Sequence, residues 1–138
     1  MAKLIGNNNL NVAVFISGRG SNLKNLIKFS KKKKCFINLN FVVSSNKNAK
    51  GLILAKNNGI KSIIFNYKNK SISEKKILKI LNSNNIKLIC LAGFMKILSN
   101  KFIKNFKGKI INIHPSLLPR YKGLNTHQRV INNKEKFT

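Results

Sequence analysis

The chain has 138 residues, of which 43% are apolar, so it can form one compact domain with a buried core, and we expect a single α/β domain over residues 1–138. Its 28 lysines and arginines against 2 acidic residues give a formal charge of +26, which predicts non-specific binding to nucleic acid at low salt and attraction of anionic substrates. The sequence has no export signal and no apolar run that could span a membrane, which excludes a secreted or membrane-spanning class and predicts a cytoplasmic protein with no membrane partner.

The cations are mostly lysines spread along the whole chain, a pattern that favours a solvated surface over one polyanion-binding face. Cys35 and Cys90 lie far apart in apolar contexts, without a C-x-x-C motif or a histidine cluster. Neither a metal site nor a disulfide framework is therefore predicted.

The first predicted strand, residues 11–16 (NVAVFI), is a continuous run of apolar residues, as expected of a strand covered on both faces. The glycine turn SGRGSN follows at residues 17–22, and Leu23, Leu26 and Ile27 then recur at helical spacing. This order of strand, glycine turn and helix predicts an anion cradle, because the N–H groups and the dipole at a helix start face a negative group.

A tight turn that is capped by Ser21 or Asn22 and holds no ligand is the alternative interpretation of this segment. A third glycine is missing, since Leu23 stands at its position, and no Gly-Lys-Ser/Thr follows. A dinucleotide site and a P-loop are therefore both disfavoured.

The rest of the chain continues to alternate strands with helices. Ser71 and Glu74 have the spacing of a capping box, and Ser99 is placed to cap a short helix. Residues 86–92 are the most apolar strand, which predicts a central position in the sheet. The further predicted strands are residues 37–43, 62–65, 86–92 and 109–114, and the further predicted helices are residues 48–58, 71–81 and 99–106.

This alternation predicts a doubly wound, mainly parallel five-stranded sheet with helices on both faces. Ligands of such sheets bind beyond the carboxyl ends of the strands. Three unusual segments, residues 17–22, 93–98 and 112–123, each follow the carboxyl end of a predicted strand. We therefore expect them to converge on one edge of the sheet.

In the last predicted strand, side-chain alternation places Asn112 and His114 on one face and Ile111 and Ile113 on the other. Pro115 cannot continue the ladder, so it ends the strand and holds His114 at the rim. A polar pair at a strand end is a candidate site.

Three segments, ISGRGSNL, LAGFMKILS and INIHPSLLPRYKGLNTH, together resemble the phosphoribosylglycinamide formyltransferase family, in that family's order and spacing. The resemblance extends from residue 11 to the end of the chain. It implies transfer of a formyl group from the co-substrate 10-formyltetrahydrofolate to the amino group of glycinamide ribonucleotide in de novo purine biosynthesis, without a metal.

The resemblance also implies roles for individual residues. The substrate phosphate is expected at Gly20, Ser21 and Asn22, and catalysis is expected from Asn112 and His114. The alternative for Lys70 is a solvated position on the surface. The alternative for Met95, Ile97 and Leu98 is a position in the core. The residues expected to bind the formyl-folate are Lys70, Met95, Lys96, Ile97, Leu98 and Asn112.

The family continues beyond the position of Thr138, with further strands, a final helix and an aspartate that orients the histidine, whereas this sequence contains no aspartate. We therefore interpret the chain as a truncated gene product with impaired activity or as an incomplete sequence. Methionyl-tRNA formyltransferase and formyltetrahydrofolate hydrolase share the Asn-x-His feature and are alternative functions. An inactive remnant that binds folate or polyanions is the non-enzymatic alternative.

Overall fold

The computed structural model describes residues 9–113, 128, 129 and 132. Strands and helices alternate through residues 9–113, with one short 3-10 helix, Tyr67–Asn69, before the third helix. The elements are β1 (Leu10–Ile16), α1 (Ser21–Ser30), β2 (Ile37–Ser44), α2 (Gly51–Asn57), β3 (Lys61–Ile64), α3 (Lys70–Ser83), β4 (Leu88–Leu91), α4 (Asn100–Asn105) and β5 (Lys109–Asn112).

The strands form one five-stranded sheet in the order β3-β2-β1-β4-β5, and every neighbouring pair is parallel. This confirms the predicted parallel, doubly wound sheet. The chain runs outward from β1 to β3 and then crosses back to β4, so the strand order reverses between β1 and β4. Ligands of such sheets bind beyond the carboxyl ends at this reversal point.

The middle strand of the sheet is β1, so the prediction that residues 86–92 form the central strand is wrong. Residues 12–16 of β1 are all buried, whereas Leu88, Cys90 and Leu91 of β4 are only partly buried. An apolar composition shows that a strand is covered, but it does not show how many strands lie on each side.

Each face of the sheet buries its own apolar cluster. On one face, α3 and α4 contribute Ile77, Leu81 and Phe102 to a cluster that includes Phe15 and Phe65. On the other, α1 and α2 contribute Leu23, Ile27 and Ala55 to a cluster with Val12, Val14 and Ile16. The two clusters together fix the positions of the loops at the carboxyl edge.

Within the residues described, no helix combines the length and the apolar character that a membrane span needs.

The start of α1 differs from the sequence prediction. The cap position is Gly20, with a φ of 79° and no side-chain cap, so the prediction that Ser21 or Asn22 caps the helix is wrong. A Cβ atom on Gly20 would lie 2.8 Å from the Cα atom of Gly51, the first residue of α2. The close approach of two helix starts therefore requires glycine here, and a capping side chain has no place.

The predicted capping box at the start of α3 is also wrong. The helix begins at Lys70, one residue before Ser71, and Asn69 occupies the cap position. Glu74 is buried, and its carboxylate accepts hydrogen bonds from the Ser99 backbone N–H, at 2.8 Å, and from the Ser99 hydroxyl. The Ser99 hydroxyl oxygen in turn accepts from the Phe102 N–H at 3.0 Å, which confirms Ser99 as the cap of α4.

Candidate active site

The loops that follow β1 and β4 meet in a cleft of about 220 Å³. The cleft lies at the reversal point of the sheet, so the predicted convergence is confirmed for residues 17–22 and for the first part of residues 93–98. It is lined by Ser17, Gly18, Arg19, Gly20, Ser21, Asn22, Ala92, Gly93 and Met95.

One wall of the cleft is the turn into α1. Ser21 and Asn22 are exposed, and the first turn of the helix contains no acidic residue. The N–H groups of a first helical turn have no partner within the helix, and the helix dipole is positive there. Arg19 adds a cation to the same wall. This wall is therefore suited to a phosphate group.

The opposite wall is the segment after β4. Met95 is 58% exposed and Ile97 is 77% exposed, so both present apolar surface to the outside. Leu98 is only 8% exposed and lies in the core cluster beneath α3 and α4. Phe94 anchors the segment, because its ring packs edge-on against Phe15 at 5.2 Å between centroids.

Lys70 and Lys96, two lysines that the family resemblance implies as formyl-folate contacts, lie on one aromatic ring. The Lys96 ammonium is 4.7 Å from the centroid of the Tyr67 ring, and the Lys70 ammonium is 5.6 Å from it. The 3-10 helix before α3 and the segment after β4 are thus joined through Tyr67. Such contacts hold ammonium groups in place while they remain accessible to an anion.

Asn112 is exposed at the end of β5 and pairs in the ladder with Leu91, the last residue of β4. It therefore lies beside the strand end from which residues 92–98 begin. Paired residues of parallel strands share a face, so Asn112 lies on the same face of the sheet as Leu91 and Phe15. His114, the second predicted catalytic residue, lies outside the described residues.

Sequence reasoning missed two residues of this site. The Ser17 hydroxyl oxygen accepts a hydrogen bond from the Met95 backbone N–H at 2.8 Å, and Tyr67 gathers two lysines. A polar residue directly after a buried strand was the available signal for Ser17. For Tyr67 the signal was an aromatic residue within a basic segment.

Two further observations concern the titratable side chains of the described residues. Burial raises the pKa of the Cys90 thiol, which keeps it neutral in β4. Over the stretches that the structure describes, no three histidine, cysteine or acidic side chains come together as a possible metal site.

Comparison with known proteins agrees with this arrangement. Residues 10–138 match the model of a family described as formyl transferase. Phosphoribosylglycinamide formyltransferase of Haemophilus influenzae is 44% identical over 123 residues, which cover 87% of this chain and 58% of that protein. The trifunctional purine biosynthetic protein adenosine-3 of Gallus gallus is 42% identical over 130 residues, which cover 92% of this chain and 13% of that protein.

Solved structures give the same result. The crystal structure of phosphoribosylglycinamide formyltransferase from Anaplasma phagocytophilum superposes with a TM-score of 0.83 at 42% identity, over 90% of this chain and 58% of that one. The chain therefore spans little more than half the length of these bacterial relatives. From the family match over residues 10–138, the chain belongs to the formyl transferase family.

Proposed function

We propose that the chain acts as a phosphoribosylglycinamide formyltransferase, which moves a formyl group from 10-formyltetrahydrofolate to the amino group of glycinamide ribonucleotide in purine biosynthesis. The observation that carries the proposal is the cleft that joins the helix-start wall at Gly20 to the wall at Met95, on the edge where Asn112 lies. Relatives at 42% and 44% identity bear names from this pathway, which supports the same conclusion.

The ribonucleotide phosphate binds at Gly20, Ser21 and Asn22. A phosphate monoester carries a charge of about −1.5 to −2 at pH 7 and has several acceptor oxygens, which suit the N–H groups of a helix start. Arg19 lines the same cleft and adds favourable charge. The ribose and the amine then extend along the cleft toward Gly93 and Met95.

The formyl-folate binds along the opposite wall. Its flat rings are apolar on their faces and match the exposed side chains of Met95 and Ile97. Its glutamate tail is anionic and matches the ammonium groups of Lys70 and Lys96, which Tyr67 holds together. Leu98 supports this wall from the core.

Formyl transfer needs a donor for an oxyanion and a group that moves protons. The amine nitrogen attacks the formyl carbon, the bond to the folate nitrogen breaks, and that nitrogen takes up the proton that the amine loses. The Asn112 amide N–H stabilises the oxyanion, and the His114 imidazole carries the proton, since imidazole is the side-chain group best suited to acid-base catalysis at neutral pH.

A formyl-transfer assay tests this proposal. The wild-type chain is expected to formylate glycinamide ribonucleotide, and His114→Ala and Asn112→Ala are each expected to lower kcat by about a hundredfold or more. His127→Ala removes the other histidine of the chain and is the matched control, expected to retain the wild-type rate.

The charge of +26 favours a second acceptor, methionyl-tRNA, because polyanions bind cationic surfaces. The same assay with charged tRNA as the acceptor separates the two functions. Formylation of methionyl-tRNA alone would replace the ribonucleotide as substrate. Equal background rates for wild type and His114→Ala with both acceptors would leave an inactive remnant that binds folate or polyanions.

A further inference from the structure

The two walls of the cleft are linked by one hydroxyl group. Ser17 follows the last residue of β1, and its oxygen accepts a hydrogen bond from the backbone N–H of Met95 at 2.8 Å. Ser17 itself lines the cleft beside Gly20. The Ser17 side chain therefore joins the phosphate turn (residues 17–22), which follows the central strand, to the proposed formyl-folate wall (residues 95–98).

A third strand end holds this hydroxyl in place. The Ser45 hydroxyl oxygen lies 2.6 Å from that of Ser17, which is hydrogen-bond distance. Ser45 is fixed in turn, because its backbone N–H donates to the Ile16 carbonyl at 3.1 Å. The hydroxyl of Ser17 is thus oriented from β2 as well as from the segment after β4, and its rotation is restricted.

The segment that Ser17 holds has a turn just before it. Gly93 has a φ of 76°, in the left-handed region that glycine enters without cost. Gly93 is exposed, and a Cβ atom there would meet nothing within 4 Å, so the direction of the chain after Gly93 is not set by contacts at that residue. The bond from Met95 to Ser17 is a contact that sets this direction.

We propose that Ser17 is a positioning residue that couples the phosphate turn to the formyl-folate wall. This inference rests on the proposed function. Binding of the ribonucleotide phosphate to the phosphate turn orders residues 17–22. The hydrogen bond between the Met95 N–H and the Ser17 hydroxyl oxygen transmits that order to Met95. The formyl donor then binds more tightly, because its wall is already ordered. By linkage, the donor strengthens ribonucleotide binding by the same factor by which the ribonucleotide strengthens donor binding.

The kinetic test uses Ser17→Ala, with Ser30→Ala as the matched control. The Ser30 hydroxyl also takes part in hydrogen bonding, as it donates to the Ile27 carbonyl at 2.8 Å, but Ser30 lies at the far end of α1. We expect Ser17→Ala to raise the KM for 10-formyltetrahydrofolate by about tenfold, the factor that corresponds to one hydrogen bond to a neutral group. Ser30→Ala should leave this KM unchanged, and the two variants should have similar Tm values.

A second measurement does not depend on activity. Hydrogen exchange of the Met95 amide, followed by NMR, is expected to be at least about tenfold faster in Ser17→Ala than in wild type, since its acceptor is lost. Added inorganic phosphate should slow this exchange in wild type and not in Ser17→Ala.

These readouts separate the two proposals. An unchanged Met95 exchange rate in Ser17→Ala overturns the role of Ser17, whatever the activity. Faster exchange with an unchanged donor KM would make Ser17 a purely structural residue and would also overturn it. A wild-type chain without formyl transfer refutes the proposed function, whereas the response of Met95 exchange to phosphate still decides whether Ser17 couples the two walls.

Discussion

Two glycines in the same turn have different roles at the residue scale. Gly20 adopts a φ of 79° and approaches Gly51 so closely that a Cβ atom would lie 2.8 Å from the Gly51 Cα atom. Gly18 has neither constraint, since a Cβ atom there would meet nothing within 4 Å. The sequence predicts the glycine turn, but it cannot show that Gly20 is fixed by a residue of another helix.

Gly20→Ala is therefore expected to lower the free energy of unfolding by about 1–3 kcal/mol, because a side chain is forced into a left-handed conformation against a backbone atom. Chemical denaturation measures the change. Gly18→Ala is the matched control, and we expect its stability to be unchanged or raised by up to about 1 kcal/mol. Equal losses in the two variants would contradict the assignment of the constraint to Gly20.

At the scale of elements, the buried carboxylate of Glu74 joins α3 to the start of α4. It accepts both the N–H and the hydroxyl of Ser99, the cap residue of α4, and Ser99 directly follows the proposed formyl-folate segment. The sequence pattern Ser71-x-x-Glu74 suggested a local capping box instead. Local spacing predicts a local partner, whereas the structure shows that Glu74 has a partner 25 residues away along the chain.

We expect Glu74→Ala to lower the free energy of unfolding by about 1.5–3 kcal/mol, since it removes a charged acceptor from two donors at a partly buried helix start. Ser71→Ala is the control that separates the two interpretations, because Ser71 is exposed and is not the cap of α3. Its expected change is within about 0.5 kcal/mol. A larger loss in Ser71→Ala than in Glu74→Ala would restore the local capping box.

For the whole molecule, the alternation of strands and helices was enough to predict a parallel sheet and the edge on which its loops meet. The order of strands was not predictable in the same way, because β1 and the apolar strand β4 are equally plausible centres until their partners are known. Residues such as Ser17 and Tyr67 were missed because their importance comes from contacts between distant segments. The role of His114 rests on the family resemblance.

The position of the site on the molecule is the central claim. The structure contains a second cleft of about 210 Å³, which lies at the opposite, amino-terminal edge of the sheet and is lined in part by Ile27, Lys31 and Asn58. Its lysine and amide groups offer an anion an alternative place to bind. A ligand titration that resolves individual residues therefore distinguishes the two edges.

The most direct measurement follows backbone amide NMR shifts while glycinamide ribonucleotide and then 10-formyltetrahydrofolate are added. We predict that the ribonucleotide shifts the amides of residues 20–22 first, and that the folate then shifts those of residues 95–97 and Tyr67. Shifts confined to the cleft at Ile27, Lys31 and Asn58 would contradict the proposed site.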